Sequence, residues 1–314
     1  MNLKLFSGSA HLELAKRIAR ELKIPLGKVT SFTFGNDNRF VKIDEPVRGS
    51  DVYVVQTSRP PVDAYLFELL MLLRALRDAS AARLTAVIPY LPYVRGDKRD
   101  QPRVCLTARL VADLIAEAGA ERVLVMDLHA PQIQGFFSIP GDELFAAPLL
   151  IAHLKKHWDL TNAVLVAGDA GAAKLTRRFT DALKLPVAIM DKRRVGNKTA
   201  PVIKGVIGDV KQKNAILIDD EIASGATIIG DAKFLQGKAG AASVAAVVTH
   251  AVFSGAARAA LNRSPLKRIL VTNTIPTAGK TIRRLEVVDV APRLAEGIRR
   301  LHAEKSLQNL NDLP

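Results

Sequence analysis

The amino-acid sequence predicts an α/β protein in which mostly parallel sheets are flanked by helices. Short apolar runs of strand length alternate with stretches of helical periodicity, and this alternation is typical of parallel α/β folds. The candidate strands are residues 52–55, 84–88, 123–126, 163–166, 187–190, 215–218, 243–248 and 269–271. Leucines recur at helical spacing between Asp63 and Ser80, and residues 106–118 behave likewise, so both segments are predicted helices. A final helix is expected from Pro292 to about Glu304, because basic residues lie late in that segment.

The length of the chain and a break in its periodicity predict two domains. With 314 residues, of which 48% are hydrophobic, the chain can bury two cores of about 150 residues each. Residues 140–148 contain two prolines and a glycine that interrupt the periodicity, so they are the best candidate linker. We therefore expect an N-terminal domain at residues 1–147 and a C-terminal domain at residues 148–314, with the terminal helix in the second domain.

An excess of basic residues predicts anionic partners. The formal net charge is +14, which implies an anionic ligand without separating nucleic acid from phosphorylated metabolites. The basic residues form scattered pairs and one cluster at residues 192–194, and aromatic residues make up only 5% of the chain. This arrangement favours a solvated surface with a few phosphate-binding side chains, and nucleic acid is kept as the minor alternative.

Cysteine usage and the lack of long apolar runs favour a cytoplasmic protein. Cys105 is the only cysteine, which excludes an intrachain disulfide and a cysteine metal cluster. Residues 1–8 lack the apolar core of a signal peptide, and no uninterrupted apolar run is long enough to span a membrane. We therefore expect a cytoplasmic chain with no membrane partner.

The stretch from Ala215 to Thr227 carries the strongest functional pattern. The apolar run of a buried strand is followed by the acidic pair Asp219 and Asp220, and then by small residues that open a helix. Small residues at a helix N-terminus allow backbone N–H groups and the helix dipole to converge on an anion. The pattern outlines a sugar-phosphate site, with carboxylates for ribose hydroxyls and amides for the phosphate. An acidic turn that caps an ordinary helix is the alternative.

Two further strands lead into acidic residues. Asp127 and His129 follow the apolar run 123–126, and alternation along an extended segment would make their side chains project together. A carboxylate and an imidazole in this position suit a metal or a nucleotide phosphate, and a hydrogen-bonded structural pair is the alternative. Asp169 follows the run 163–166 and lies among small residues, as a site for hydrated Mg²⁺ requires.

A basic segment follows the strand predicted at residues 187–190. Lys192 and Arg194 would point to the same side of an extended chain, where both can neutralise the oxygens of a polyphosphate in its transition state. Gly196 and Asn197 are residue types that favour a flexible loop. The segment is therefore a candidate catalytic lid, and a solvated surface loop is the alternative.

Several motifs taken in order resemble one family. They occupy residues 6–8, 89–98, 127–137, 191–194, 219–227 and 249–255. The combination of Asp-Leu-His-Ala with Gln-Ile-Gln-Gly-Phe-Phe at residues 127–137 is the most specific of them. Together they resemble ribose-phosphate pyrophosphokinases, also called phosphoribosyl-pyrophosphate synthetases, over essentially the whole chain. The resemblance implies two type I phosphoribosyltransferase-like domains, of which the N-terminal domain lies on the ATP side and only the C-terminal domain keeps the sugar-phosphate loop.

The resemblance also implies a reaction. The anomeric hydroxyl of ribose 5-phosphate attacks the β-phosphorus of Mg-ATP, which releases AMP and forms 5-phosphoribosyl 1-diphosphate for nucleotide biosynthesis. Mg²⁺ is the implied cofactor, and ATP and ribose 5-phosphate are the implied small-molecule partners. A homo-oligomer, either a hexamer or another assembly based on dimers, is the implied quaternary structure. Such chemistry works by positioning and charge neutralisation, so the lack of an obvious general base does not exclude it.

The same resemblance assigns roles to individual residues. It makes His129 and Asp169 the metal ligands, with Asp127 in support, and it makes Lys192 and Arg194 the cations that stabilise the transferring group. The residues that it assigns to ribose 5-phosphate are Asp219, Asp220, Ala223, Ser224, Gly225, Ala226 and Thr227. The residues that it assigns to ATP are Phe34, Asn36, Asp37, Asn38, Arg95, Gly96, Asp97 and His129.

The chain departs from the family pattern at several of these positions. In the ATP loop, Asn36-Asp37-Asn38 stands where the family usually has Asp-Gly-Glu, so one carboxylate is displaced and another is lost. Gly96 stands in place of a glutamine, and Ala223 in place of an acid. Ala226 replaces a glycine, and its methyl group is costly only if its φ is positive.

Two rival functions stay open from the sequence. A catalytically silent paralogue that regulates active subunits agrees with the altered ATP loop and with Gly96, whereas the retained metal pair and the retained cations Lys192 and Arg194 favour an enzyme. An RNA-binding protein agrees with the net charge of +14, and it predicts an RNA affinity that falls steeply with salt.

Overall fold

Two sheets of mostly parallel strands form the framework of the chain, which confirms the predicted α/β class. A computed structural model describes residues 1–169, 171–193, 202–277, 279 and 281–313. Within this part, one unit comprises Met1–Phe145, Thr274–Pro276 and Val290–Asn311, and a second unit comprises mainly Ala146–Asn273 and Thr277–Asp289. None of the helices in these described ranges is both long and apolar enough to cross a membrane.

The first unit contains a five-stranded parallel sheet. In spatial order its strands are β1 (Leu3–Ser7), β4 (Asp51–Val55), β5 (Arg83–Ile88), β6 (Arg122–Met126) and β7 (Gly141–Leu144). The strands β2 (Val29–Thr33) and β3 (Arg39–Ile43) form a separate antiparallel hairpin. The helices of this unit are α1 (Leu12–Leu22), α2 (Val62–Asp78), α3 (Thr107–Glu117) and α8 (Ala291–His302).

The leucines of α2 explain how this helix joins the core of the first unit. Leu69, Leu72, Leu73 and Leu76 recur at helical spacing and are all buried, in one cluster with alternate residues of the neighbouring strands. Burial of such side chains contributes roughly 1.5–3 kcal/mol each. The helical spacing of the leucines therefore marks the face of α2 that packs in the core, as the sequence indicates.

The second unit contains a seven-stranded sheet. In spatial order its strands are β10 (Val202–Ile207), β9 (Val187–Arg193), β8 (Ala163–Ala167), β11 (Asn214–Glu221), β12 (Ser243–His250), β13 (Ile269–Thr272) and β14 (Leu285–Val288). All neighbouring strands are parallel except β9 and β10. The helices of this unit are α4 (Ala147–His157), α5 (Ala173–Leu183), α6 (Ala226–Gly237) and α7 (Ala257–Asn262).

The order of the strands identifies where the second sheet can bind a ligand. From β8 the chain moves outward to β9 and β10, and it then returns to β11 and continues to β12 on the other side. In an open parallel sheet, such a reversal leaves a crevice at the carboxyl ends of the two central strands. The first sheet, whose residues are all described, advances in one direction from β1 to β7 and has no such reversal.

Two expectations drawn from the sequence need correction. Gly141–Leu144, which was expected to be part of a linker, forms β7 and pairs in parallel with β6. This short strand has no apolar run, so its existence depends on a neighbour that the sequence does not reveal. The terminal helix α8, which was expected in the C-terminal domain, packs against α1 and β7 in the first unit. The reason is its apolar face, which includes the buried Leu294 and Ile298.

A charged network around Glu286 stabilises the second unit. The carboxylate accepts hydrogen bonds from Arg268 (2.6 and 2.8 Å), from the indole N–H of Trp158 (3.2 Å), and it lies 2.9 Å from Nε2 of His153. Burial alone would raise the pKa of Glu286, but the hydrogen bonds from these partners outweigh it and lower the pKa to about 2.

We expect Glu286→Gln to lower the free energy of unfolding by about 1–2 kcal/mol at neutral pH, because the bidentate pair with Arg268 loses its charge. The folded pKa of Glu286 lies below the ordinary value of about 4.3. Its contribution is therefore complete above that pH and is lost as the pH falls towards the folded pKa. Urea unfolding of both proteins at pH about 7 and about 3 measures the effect. Equal stability at neutral pH would contradict the prediction, and the difference should shrink in acid.

Candidate active site

The carboxyl ends of β8 and β11 carry the acids predicted for the C-terminal domain. Asp169 follows β8 and is exposed, and its Oδ1 accepts the N–H of Ala172 at 2.9 Å. Asp219 and Asp220 lie near the end of β11, where the Asp220 N–H donates to Asp219 Oδ1 at 3.0 Å. Desolvation and the neighbouring Asp220 carboxylate raise the pKa of Asp219 well above its usual range. These acids therefore flank the crevice at the reversal of the sheet.

The loop between β11 and α6 has the form of an anion cradle. Gly225 has a φ of 80° and directly precedes α6, whose first residue is Ala226. The first N–H groups of a helix have no partners within the helix, and they carry the positive end of its dipole. Ser224, Ala226 and Thr227 are exposed, so an anion can reach the start of α6. The loop itself is fixed, because the Ser254 N–H donates to the Ala223 carbonyl at 3.0 Å.

The backbone conformation of the loop shows that alanine is tolerated at position 226, where the family pattern has glycine. The left-handed conformation in this loop falls on Gly225, whereas Ala226 is the first helical residue and is not among the residues with positive φ. A methyl group costs little at a helical φ, and alanine is the best helix former. Ala226 is thus compatible with the cradle, and the residue that must be glycine has been kept.

Lys192 lies in a strand and not in a loop. It belongs to β9 and faces Ile203 of the antiparallel neighbour β10. Its Nζ donates to Asp231 Oδ2 at 2.7 Å, and only 8% of its side chain is exposed. Lys192 thus lies in the paired part of the segment that was expected to be a lid, because β10 provides a pairing partner that extends the strand beyond its apolar part. Arg194, the second expected cation, lies outside the described residues.

At the end of β6, Asp127 and His129 do not project together as the alternation predicts. Asp127 has a φ of 40° and is 7% exposed, whereas His129 is exposed. The chain leaves the extended conformation at Asp127, so the two side chains diverge. The Asp127 N–H donates to the Leu144 carbonyl at 3.1 Å, and the next N–H, of Leu128, donates to the Glu143 carboxylate at 2.7 Å.

Arg293 at the start of α8 is a neighbour of Asp127 that the sequence analysis missed. Burial lowers the pKa of Arg293, and the Asp127 carboxylate opposes this effect. Its Nε and Nη2 are buried without a hydrogen-bond partner. The available signal was an arginine in the first turn of a helix, where the dipole disfavours a cation. Asp127 therefore lies in a charged, buried environment that suits a supporting role better than direct metal ligation.

The expected ATP loop is the turn of the β2–β3 hairpin. The Phe34 N–H donates to the Asn38 carbonyl at 2.8 Å, and the Asn36 side chain accepts the Asn38 N–H at 3.2 Å. Asp37 adopts a φ of 63°, which asparagine and aspartate tolerate better than most residues. Asp37 and Asn38 line a cavity of about 550 Å³ together with Thr33, Arg39, Ala64 and Phe67. The altered sequence of this loop thus fits a tight turn beside an open cavity.

A buried carboxylate on α2 fixes this hairpin. Glu68 is 1% exposed and accepts hydrogen bonds from the Ser31 hydroxyl of β2 at 3.0 Å and from the Gln56 amide at 2.8 Å. It also accepts the backbone N–H and the hydroxyl of Ser9 and pairs with Arg39 of β3 at 2.9 Å. Burial would raise the pKa of Glu68, but the hydrogen bonds from Ser9 and Gln56 and the charge of Arg39 lower it. Sequence analysis missed Glu68, although it lies four residues before Leu72 on the buried face of α2.

The remaining expected ATP contacts follow β5. Arg95 is exposed, whereas Asp97 is 8% exposed and accepts a hydrogen bond from the Gln132 amide at 2.7 Å. A Cβ on Gly96 would lie 1.9 Å from Oγ1 of Thr107, so a side chain at this position would displace Thr107. In this chain, glycine in place of glutamine therefore matches the local packing.

The two main expected metal ligands belong to different units. His129 lies in the first unit, and Asp169 lies in the second. Among the described residues, no group of three or more histidine, cysteine or acidic side chains is arranged to hold a metal ion.

Comparisons with known proteins show to which family the chain is similar. Residues 3–119 match the N-terminal domain of ribose phosphate pyrophosphokinase, and residues 193–311 match the phosphoribosyl synthetase-associated domain. A ribose-phosphate pyrophosphokinase of Agrobacterium fabrum is 45% identical over 312 residues, which cover 99% of this chain and 100% of the relative. Ribose-phosphate pyrophosphokinase 4 of Saccharomyces cerevisiae is 41% identical, and the match covers 98% of this chain and 94% of the relative.

A solved structure shows the same architecture. The crystal structure of phosphoribosylpyrophosphate synthetase from Mycobacterium smegmatis superposes with a TM-score of 0.91 at 39% identity, and it covers 97% of this chain and 100% of that chain. This likeness confirms the type I phosphoribosyltransferase-like α/β fold that the resemblance implies. The matched domains, the full-length relatives and the shared fold establish that the chain belongs to the ribose-phosphate pyrophosphokinase family.

Proposed function

We propose that this chain transfers the diphosphoryl group of Mg-ATP to the anomeric hydroxyl of ribose 5-phosphate, with 5-phosphoribosyl 1-diphosphate and AMP as products. The observation that carries the proposal is the crevice of the second sheet, where Asp219 and Asp220 adjoin the cradle at the start of α6. Relatives that span the whole chain bear the name of this enzyme. Nothing in the structure or among these relatives favours a silent paralogue.

The ribose 5-phosphate site follows from the chemistry of the crevice. The 5-phosphate binds the N–H groups of residues 223–227, because the helix N-terminus attracts an anion. Asp219 and Asp220 accept hydrogen bonds from the ribose hydroxyls, which selects a sugar over a simple phosphate ester. Ala223 places no carboxylate beside the 5-phosphate, which removes a repulsive charge from the cradle.

The ATP contacts are proposed for residues that the resemblance assigns to this role. Arg95 is exposed, so its guanidinium can reach a nucleotide, whereas Asp97 acts through its hydrogen bond with Gln132. We propose that the hairpin residues Phe34, Asp37 and Asn38 contact ATP, because Phe34 is 48% exposed and the open side of its ring can pack against a base. Lys192 supplies a positive charge to the transferring diphosphoryl group.

We propose Mg²⁺ as the cofactor, held by Asp169 and His129. Both side chains are exposed, and a carboxylate oxygen is the type of ligand that Mg²⁺ prefers. When bound, Mg²⁺ would neutralise charge on the phosphates of ATP. The cytoplasmic location, the homo-oligomeric assembly and the role of Arg194 stay predictions.

One assay tests the proposed function directly. AMP formation from ATP should require both ribose 5-phosphate and Mg²⁺, and it should cease when either is omitted. Absence of turnover with all three present would contradict the proposal. The RNA-binding alternative predicts retention of RNA on a filter with a steep dependence on salt and no response to ribose 5-phosphate.

We expect Gly225→Ala to weaken binding of ribose 5-phosphate. At a φ of 80° a side chain is strained by about 1 kcal/mol, and relief of this strain would rotate the N–H groups of the cradle. The KM for ribose 5-phosphate should rise by about fivefold to tenfold, since 1.4 kcal/mol corresponds to about tenfold. Steady-state kinetics at varied ribose 5-phosphate measures the effect.

A matched control for Gly225→Ala is available on the same helix. Gly237 ends α6, its φ is not positive, and a Cβ there would meet no atom within 4 Å. Gly237→Ala should leave the KM for ribose 5-phosphate unchanged. If both variants have the KM of the wild type, the loop before α6 is not the phosphate cradle.

A further inference from the structure

A buried carboxylate on α6 holds the ammonium group of Lys192. Asp231 is 2% exposed, and its Oδ2 accepts a hydrogen bond from Lys192 Nζ at 2.7 Å. The side chains of the two residues are 3% and 8% exposed, so the pair is almost fully removed from solvent. Charges are rarely buried to this degree unless they are paired, because desolvation is costly.

This ion pair lies in the crevice of the second sheet. Gly168 directly follows β8, and a Cβ on Gly168 would lie 3.8 Å from Asp219 Oδ2 and 3.8 Å from Asp231 Oδ2. The same Cβ would lie 4.0 Å from Lys192 Nζ. The ammonium, the Asp231 carboxylate and the Asp219 carboxylate therefore all border the same space beside Gly168, at the carboxyl ends of the central strands.

The surrounding charges explain why the ammonium stays there. Burial raises the pKa of Asp231, the ammonium of Lys192 opposes this effect, and the Asp169 carboxylate contributes further negative charge. Asp231 thus lies in a negative environment to which Asp169 contributes, and this environment favours a cation at its carboxylate. A lysine side chain has four flexible bonds, and the hydrogen bond to the Asp231 carboxylate fixes its end.

We propose that Asp231 is a positioning residue for diphosphoryl transfer, which fixes the Lys192 ammonium in the crevice of the second sheet before the nucleotide binds. The inference rests on the proposed function. A cation that is already in place needs no reorganisation when charge develops in the transition state, and this is where electrostatic catalysis is most effective. The backbone of Lys192 is also held, because it pairs in β9 with Ile203 of β10.

Steady-state kinetics of Asp231→Asn test this role. The amide keeps the shape of the carboxylate but loses its charge, so the ammonium is no longer fixed. We expect kcat to fall by about tenfold or more, with the KM for ribose 5-phosphate changed by less than about threefold. Lys233→Ala is the matched control, because Lys233 is exposed on the same helix, and its kinetics should equal those of the wild type.

A double substitution separates positioning from a merely structural role. If Asp231 acts through Lys192, then Asp231→Asn should have almost no further effect on kcat in a Lys192→Ala background. A structural defect would instead lower kcat by the same factor in both backgrounds. That result, or an unchanged kcat for the single variant Asp231→Asn, would overturn the proposal.

Chemical modification of lysine side chains tests the proposal without an activity assay. Acetic anhydride modifies exposed, unpaired lysines faster than buried, ion-paired ones, and mass spectrometry of peptides reports each site. In the wild type Lys192 should react much more slowly than Lys233, and Asp231→Asn should speed its reaction. Equal protection of Lys192 in wild type and variant would overturn the proposal. A wild-type protein that shows this protection but has no turnover would instead refute the proposed function.

Discussion

Lys192→Ala should reduce the rate of AMP formation by about 10³-fold at saturating substrates, since loss of a preorganised charge in phosphoryl transfer typically costs this much. The ammonium lies in the crevice at the carboxyl ends of β8 and β11, in a setting with little solvent where electrostatic interactions are strong. The effect should appear in kcat, because additional negative charge develops on the leaving AMP oxygen and the transferring group only as the bond between the α- and β-phosphates of ATP breaks.

The measurement must separate lost chemistry from lost folding. Lys192→Ala leaves the buried Asp231 without its partner, and this carboxyl group can take up a proton because burial already raises its pKa. Thermal unfolding of the variant checks that the fold persists, and Lys233→Ala serves as the control for charge removal on the surface of the same unit. A folded Lys192→Ala protein with the turnover of the wild type would exclude Lys192 from the reaction.

The sequence revealed the interior strands of the two large sheets. Every apolar run that predicts a strand lies in a strand of the structure, from residues 52–55 in β4 to residues 269–271 in β13. The strands that were missed among the described residues are the edge strands β1, β7, β10 and β14 and the hairpin strands β2 and β3. Sequences such as Gly141–Leu144 and Val202–Ile207 contain polar or exposed residues. Their conformation comes from pairing with a neighbour, and such pairing is a tertiary property.

The same distinction applies to the candidate site. The acids of β11 and the cradle before α6 were predictable because strand, loop and helix are continuous in sequence and the chemistry is local. Asp231 and Glu68 were not predicted, since an isolated acid in a helix is usually solvated. A stricter analysis of the periodicity could have found Asp231, because it lies between Ile228 and Leu235 on the buried stripe of α6.

At Asp127 the backbone conformation could not be predicted from the sequence pattern. The strict alternation of an extended chain predicted that its side chain and that of His129 point the same way, but the chain turns at Asp127, where φ is 40°. Aspartate tolerates a positive φ better than most residues, but the sequence alone does not show this turn, because hydrogen bonds to Leu144 and Glu143 of another strand fix it. Motif spacing thus predicts which residues lie at a strand end, whereas the local backbone decides the orientation of each side chain.

Glu68→Ala should lower the free energy of unfolding by about 3–5 kcal/mol, which is typical when one partner of a buried charged network is removed. The substitution leaves Arg39, Gln56 and Ser9 without their shared acceptor and detaches the β2–β3 hairpin from α2. The folded pKa of Glu68 is lowered, so its contribution is complete at neutral pH and declines as the pH falls below the ordinary glutamate value of about 4.3.

Urea unfolding at neutral pH measures the loss, and hydrogen exchange shows where it acts. The backbone N–H groups that join β2 and β3, such as those between Ser31 and Val41, should exchange faster in Glu68→Ala than in the wild type. Glu13→Ala is the control, because Glu13 on α1 is exposed, forms an exposed ion pair with Lys16 and should be replaceable without a measurable change. If Glu68→Ala unfolds at the same urea concentration as this control, the carboxylate does not anchor the hairpin. If stability falls but the exchange of β2 and β3 stays slow, Glu68 stabilises the core of the first unit and the ATP loop depends on other contacts.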